Sequence, residues 1–436
     1  MENYKKYKNV QSGKMVSIPE HWDFVKLKYV VTCNDDAITI NEEDNFSINY
    51  IEIGDVNLES GVNNYVTTNI NDAPSRARRI VRTNDIIIST VRTYLKAIAK
   101  INESQDGYVV STGFAVLRPQ NIEPGYLNYA VQDENFISVI ISMSVGASYP
   151  AITSNNLINI SIPLPSKEEQ LQIAKFLDHQ TEIIDHLTRQ KESILRLLKE
   201  KWLSDIFEIV TKGINCDSEM RESGIKWIGQ IPKHWKQERL KFLYRIKKEI
   251  AGELGHNVLS VTQKGIRIRD VDNLKGQLSM DYSKYQLVNK GDFIMNHMDL
   301  LTGFIDISKW EGVTSPDYRV FSSIGEAISD QYYLYIFQLC YHNKIFFGLG
   351  QGVSQLGRWR MPAESFNNFV LPCPPYHEQI EIVKFLDEKN SILNSIIDDQ
   401  ELVIQKLKEY RRSIISEAVT GKIDVREWQP NKQQIA

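Results

Sequence analysis

The sequence predicts an α+β protein: two mixed α/β domains joined by two long helices that pair as an antiparallel coiled coil, with an approximate two-fold relating the halves. Three observations predict it. Segments near the start and end of one half recur in the other. Each half closes on a long stretch with a heptad stripe. The residues before each stripe alternate short β-branched or aromatic runs with turn residues.

The repeat comes first, because a missed repeat miscalls the whole architecture. "IPEHWDFVKLKYV" (18–30) recurs as "IPKHWKQERLKFL" (231–243), and "PLPSKEEQLQIAKFLD" (163–178) as "PCPPYHEQIEIVKFLD" (372–387). "VTKGI" (210–214) returns as "VTGKI" (419–423). The two copies share their starts and ends around dissimilar middles. The boundaries that follow are a first domain at 1–165, a helix at 166–212, a second domain at 213–373, a second helix at 374–421 and a tail at 422–436.

Each front part reads as strands broken by Asp, Gly and Asn: "NDIIISTV" (84–91), "GYVVSTGFAVLRP" (107–119), "GDFIMN" (291–296) and "DYRVFSSIG" (317–325). Short amphipathic stretches, "GYLNYAVQ" (125–132) and "QYYLYIFQL" (331–339), read as helices, so each front part is a mixed domain whose strand order the sequence leaves open. Trp22 and Trp235, each after an Ile-Pro pair, are read as structural anchors.

The helices carry a four–three alternation. Ile173, Leu177, Ile184, Leu187, Ile194 and Leu198 form the expected seam of the first, with Gln180 and Lys191 as polar interruptions. Ile382, Leu386, Leu393, Ile396, Val403 and Leu407 form that of the second, interrupted at the same places by Lys389 and Gln400. A single striped helix needs a partner, and the other copy supplies one.

Helix punctuation also disposes of a tempting motif. "CPPY" (373–376), with "FFGLGQG" (346–352) shortly before it, invites comparison with the catalytic and cofactor loops of an amino-methyltransferase. Yet the same helix entry in the first copy, "PSKE" (165–168), is a capping-box start with Glu169 following. Pro374 and Pro375 occupy the matching helix entry, where a missing N–H costs nothing. Gly213 and Gly421 mark the far ends. Such loops also end different strands in a methyltransferase, several βα units apart, and here about 20 residues intervene.

Length allows about three domains. The four cysteines are scattered without a CxxC pair, so neither a disulfide framework nor a zinc site is expected and a reducing cytoplasm is the default. The eight histidines show no HExxH spacing. No metal site, cofactor site, general base or nucleophile constellation is expected on this chain. The net charge of −4 gives no global attraction to polyanions, so any such contact must come from a local basic face.

"GIKWIGQIPKHW" (224–235), the Pro-rich entries followed by "EEQLQIAKFLD" and "HEQIEIVKFLD", and the closing "AVTGKIDVR" (418–426) resemble the specificity subunit of type I restriction–modification enzymes over almost the whole chain. The resemblance implies two target-recognition domains, each followed by a long helix, and a subunit without catalysis of its own. It implies partners: double-stranded DNA, two modification (methyltransferase) subunits that bind S-adenosylmethionine, and restriction subunits that use ATP and Mg. Each domain is expected to read one half of a bipartite, asymmetric target, with the helices setting the gap.

Candidate DNA contacts follow from local basic clusters. In "APSRARRIVRTNDIIISTVRTYLKAIAK" (73–100) these are Arg76, Arg78, Arg79, Arg92 and Lys96; Ser148 and Tyr149 stand in the later loop "GASYPAITSNN" (146–156). In the second domain they are Lys264, Arg267 and Arg269, then Gln355, Arg358 and Arg360 around Trp359. Arginine suits phosphate and the guanine edge, and glutamine suits adenine. The competing readings are an orphan methyltransferase specificity subunit without a nuclease, a methyltransferase–specificity fusion, for which a cofactor domain is missing, and a simple coiled-coil adaptor.

Overall fold

The computed structural model describes residues 3–12, 14–39, 45–215, 217–269, 281–352 and 359–430. The long helices run Lys167–Lys212 and Tyr376–Val419. The chain divides into two compact units, Met1–Ser193 with Gln400–Ala436, and Ile194–Asp399. Each division falls within a long helix, so each unit holds the start of one helix and the end of the other.

The middles of the two copies, dissimilar in sequence, share a strand order. In the first unit an antiparallel sheet runs Ile98–Lys100, Ile86–Ser89, Phe114–Pro119, Val31–Cys33. In the second the order is Ile305–Ile307, Phe293–Met295, Arg319–Ser323, Tyr244–Lys247, again antiparallel. The central strands are continuous apolar runs because both faces are covered. Ile86 and Ile88 enter one cluster with Leu117 and Tyr126, while Ile87 enters another with Phe114 and Val116. Phe293 and Met295 likewise face one cluster and Ile294 another.

A buried aspartate begins each of these strands. Asp85 accepts from the Arg82 N–H at 2.8 Å and pairs with Arg118 through both oxygens, at 3.0 and 2.9 Å. Asp292 accepts from the Asn289 N–H at 2.8 Å and from Lys247 Nζ at 2.7 Å. A buried carboxylate persists only when paired and hydrogen-bonded, and both are. The first unit adds a second sheet, in the order Val66–Asn69, Ser47–Ile51, Val109–Ser111, Ala77–Ile80.

The helix entry repeats atom by atom. Ser166 and Glu169 form the reciprocal capping box, Glu169 N–H to Ser166 Oγ and Ser166 N–H to Glu169 Oε2, both at 3.3 Å. Trp22 Nε1 donates to Glu169 at 3.3 Å, and Trp235 Nε1 donates to Glu378 at 2.8 Å. Gln170 bridges the Pro165 carbonyl and the Glu123 N–H (2.9 and 2.8 Å); Gln379 bridges the Pro374 carbonyl and the Ser329 N–H at the same distances. Pro375 takes the cap place of Ser166, its carbonyl accepting from Gln379 N–H.

The far ends are docked as regularly. The Val210 carbonyl accepts from the Tyr332 hydroxyl at 2.8 Å, and the Val419 carbonyl from the Tyr126 hydroxyl at 3.4 Å. Gly421 has φ +69°, and an added Cβ would overlap the Pro19 ring; Gly213 has φ +80° and lies against Trp235. Each anchor tryptophan thus packs on the glycine that ends the other copy's helix.

Within the first unit the helices run antiparallel. Asp185 accepts from Arg411 Nε at 2.9 Å, and Glu192 from Lys408 Nζ at 3.1 Å. The expected seam needs a correction. Ile173, Leu177, Ile184, Ile382 and Leu386 are buried, and Leu198, Leu393 and Leu407 half-buried. Leu187, Ile194, Ile396 and Val403 are instead exposed, by 39, 44, 41 and 39 %. The inward column lies one residue on, at Thr181, Thr188 and Leu195 of the first helix and Ile397, Ile404 and Arg411 of the second. Either column completes a heptad with Leu177 and Ile184. The inward one is buried at little cost because the Thr181 and Thr188 hydroxyls return to the Leu177 and Ile184 carbonyls, at 2.7 and 2.8 Å.

Candidate nucleic-acid interface

In the first unit a cleft of about 680 Å³ opens where strands Ile86–Ser89 and Val109–Ser111 end. Its walls include Glu52, Arg76, Arg92, the Ser111–Gly113 turn and Tyr149. The loop carrying Tyr149 is tied there by the backbone: Arg92 N–H donates to the Pro150 carbonyl at 2.8 Å, and Val91 bridges Ala151. Arg92 stands in the left-handed region at φ +53°, with its guanidinium 4.5 Å from the centre of the exposed Tyr149 ring. That is a cation–π contact with one ring face covered.

Arg76 is less free. Its Nη2 donates to Glu52 at 2.6 Å and its Nε to the Tyr50 hydroxyl at 3.2 Å, which raises its pKa and spends much of its charge locally. The cleft brings together Arg76, Arg92 and Tyr149, and Ser148 is exposed beside them. The other candidates of the cluster point elsewhere. Arg78 donates to the Ala77 carbonyl at 3.0 Å, and Lys96 pairs with Glu134 at 2.9 Å. Arg79 has a buried Nη1 with no partner among the described residues, and burial lowers its pKa. None of these three lines the cleft.

A second cleft, of about 560 Å³, opens at the corresponding place in the second unit, after Phe293–Met295 and beside Arg319–Ser323. Lys248, His297, Arg319, Gln351 and Arg360 line it, and none of its described lining residues is Asp or Glu. Arg319 and His297 are each only 5 % exposed. Arg319 Nη2 donates to the Met361 carbonyl at 2.9 Å, and its guanidinium lies 4.7 Å from the Phe366 ring centre. Its Nη1, and Nδ1 of His297, have no partner among the described residues. Burial, followed by the neighbouring Arg319, Arg360 and Lys248 charges, holds the His297 imidazole down at about 3. Burial likewise brings the Arg319 guanidinium down to about 10.

Of the second-domain candidates, Arg360 lines this cleft, while Lys264 and Arg267 are exposed on the hairpin Leu259–Thr262/Gly265–Ile268 and Arg269 is half-buried at its end. Gln355 and Arg358 lie outside the described residues. Sequence reasoning missed Arg319 and His297, because both sit in stretches read as strand or strand end. A positive residue inside an apolar strand run was the available signal. Among the described residues no cluster of three or more His, Cys, Asp or Glu could hold a metal ion, and no helix is long and apolar enough to cross a membrane.

Comparison with known proteins points one way. Residues 19–196 match the model of the type I restriction modification DNA specificity domain. The chain is 26 % identical over 321 residues to the MjaVIII type I restriction enzyme specificity subunit of Methanocaldococcus jannaschii, covering 69 % of this chain and 70 % of that one. It is 23 % identical over 444 residues to the putative MjaX specificity subunit of the same organism, covering 97 and 98 %. Among solved structures, one reported for complex assembly and conformational transition of a type I R-M system shares the fold, with a TM-score of 0.70 at 20 % identity over 93 % of this chain and 99 % of that one. With a matching domain over residues 19–196, a second copy of the same scaffold and a relative similar over nearly its full length, the chain resembles the specificity subunits of type I restriction–modification enzymes.

Proposed function

We propose that this chain is the non-catalytic DNA-recognition subunit of a type I restriction–modification complex, in which each front domain reads one half of a bipartite, asymmetric target. The observation that carries it is the duplicated cleft: two domains with one strand order present clefts at the same place, lined by different side chains. One scaffold with two linings is what reading two different half-sites requires.

The long helices, of 46 and 44 residues, would be roughly 65–70 Å in length and would set the gap between half-sites. Successive groove faces lie about 34–36 Å apart, so the gap should be one to two turns. Two modification subunits would sit on the outside of the helix pair and the adjoining domain faces. They would supply S-adenosylmethionine chemistry, and restriction subunits the ATP- and Mg-dependent steps, in the cytoplasm. The exposed Leu187, Ile194, Ile396 and Val403 fit a covered rather than a free helix surface.

Methylome sequencing of cells carrying this chain with its modification subunit tests the reading. The expected motif has two unlike specified parts around an unread gap. Replacing residues 18–162 by the equivalent domain of a relative should change one part and leave the other. A change in both parts together would refute one domain per half-site.

A further inference from the structure

The two clefts differ in chemistry. The first contains Glu52, which already takes up Arg76. The second has a rim of two exposed cations, Lys248 and Arg360, and a floor of two buried donors, Arg319 and His297, with no carboxylate among its described lining residues. Neither rim cation has an ion pair among the described residues. The Arg319 guanidinium is buried with its Nη1 unpartnered among the described residues, so its charge is poorly screened and favours an anion held in the cleft. The acceptor that suits four converging positive or donor groups is an anion.

We propose that this cleft of the second unit holds one backbone phosphate of the bound DNA, with Lys248 and Arg360 meeting it at the rim and Arg319 supplying the field from the floor. The proposal rests on the DNA-recognition reading and deepens it. A phosphate fits better than a base edge. The unpaired Nη1 of Arg319 is sealed from solvent, so Arg319 acts through its charge rather than through the flat bidentate approach that guanine needs. The contact would fix register and leave sequence choice to other side chains. His297 completes the floor as a reporter: its neutral imidazole lies beside Arg319 and Arg360, and an anion entering the cleft offsets their repulsion and raises its pKa.

The test uses the full chain assembled with its modification subunits, a duplex carrying the mapped target, and an unrelated duplex. Lys248→Gln and Arg360→Gln alter exposed positions, so folding is kept. Each should flatten the log–log salt dependence of binding by about one, and weaken binding to both duplexes by the same factor, about fivefold at 0.15 M salt. The methylated motif should be unchanged. In parallel, inorganic phosphate titrated into the DNA-free complex should shift the His297 ring resonance in the wild type and not in the double variant.

An unchanged salt slope with intact wild-type binding would overturn the phosphate assignment alone. So would a relaxed base in the domain-two half-site, which would make the rim a base reader. Phosphate binding without any effect of the variants on DNA would mark an adventitious anion pocket. Wild-type complex that bound neither duplex would bring down the DNA reading itself, a different failure.

Discussion

His297 shows how much a single buried ring can decide. Burial and three cationic neighbours keep its imidazole neutral in the folded unit down to about pH 3, against 6.5 for a free histidine. Between those values the unfolded chain binds the extra proton and the folded unit does not. Stability from this residue is therefore complete above about 6.5 and drains away as pH falls, at up to about 1.4 kcal/mol per pH unit. His297→Gln keeps a polar side chain and removes the proton. In urea unfolding of the second unit's aromatic core, the wild type should lose about 2 kcal/mol more than His297→Gln between pH 6.5 and 5. Parallel pH profiles for the two proteins would show that the ring is solvated after all. The same histidine was invisible as a functional residue in sequence. It follows "GDFIMN", and only the fold, by setting Arg319 on the neighbouring strand, gives it a cationic cleft to face.

At the scale of the helix, heptad spacing was legible and its facing was not. Leu177 and Ile184 are inward in any register, but the second column has two choices, and apolar content favoured the wrong one. Leu187 and Ile194 read as core, yet the buried positions are Thr188 and Leu195. Hydropathy undervalues threonine there because it cannot anticipate a hydroxyl satisfied by the carbonyl four residues back. The caps were fully legible, since Ser166, Glu169, Gly213 and Gly421 act through local backbone geometry. The corrected seam makes a sharp contrast. Leu195→Gln should cost about 2–4 kcal/mol by leaving a buried amide in place of packed methyls. Leu187→Gln should stay within about 0.5 kcal/mol. Equal losses in chemical unfolding would restore the original column. If the exposed column meets modification subunits, Leu187→Gln with Ile396→Gln should instead weaken assembly with them in analytical ultracentrifugation, leaving the free chain's stability intact.

For the whole molecule, duplication was readable because the repeated residues are the ones that dock a domain on its helices: the anchor tryptophans, the carboxylates that accept from them, and the glutamines that tie the start of a short domain helix to the long-helix entry. The domain interiors were not readable, because packing within a sheet accepts many apolar combinations. Ile86-Ile87-Ile88 and Phe293-Ile294-Met295 fill the same strand with unlike volumes. Domain surfaces are free to diverge on such a frame while the helices keep their length, and on the proposed reading that length sets the gap between half-sites. Both helices pass from one compact unit to the other, after Ser193 in the first and after Asp399 in the second. Inserting one heptad at each point keeps the seam in phase, since seven residues return the stripe to its face. The rise added is about 10 Å, close to three base pairs at about 3.4 Å each. Methylome sequencing of the lengthened subunit should therefore find both half-sites intact and the unread gap longer by about three base pairs. Insertion in one helix alone should abolish modification, because the pair would lose register. A lengthened, folded subunit that still methylated at the original gap would mean that something other than the helix pair sets the distance.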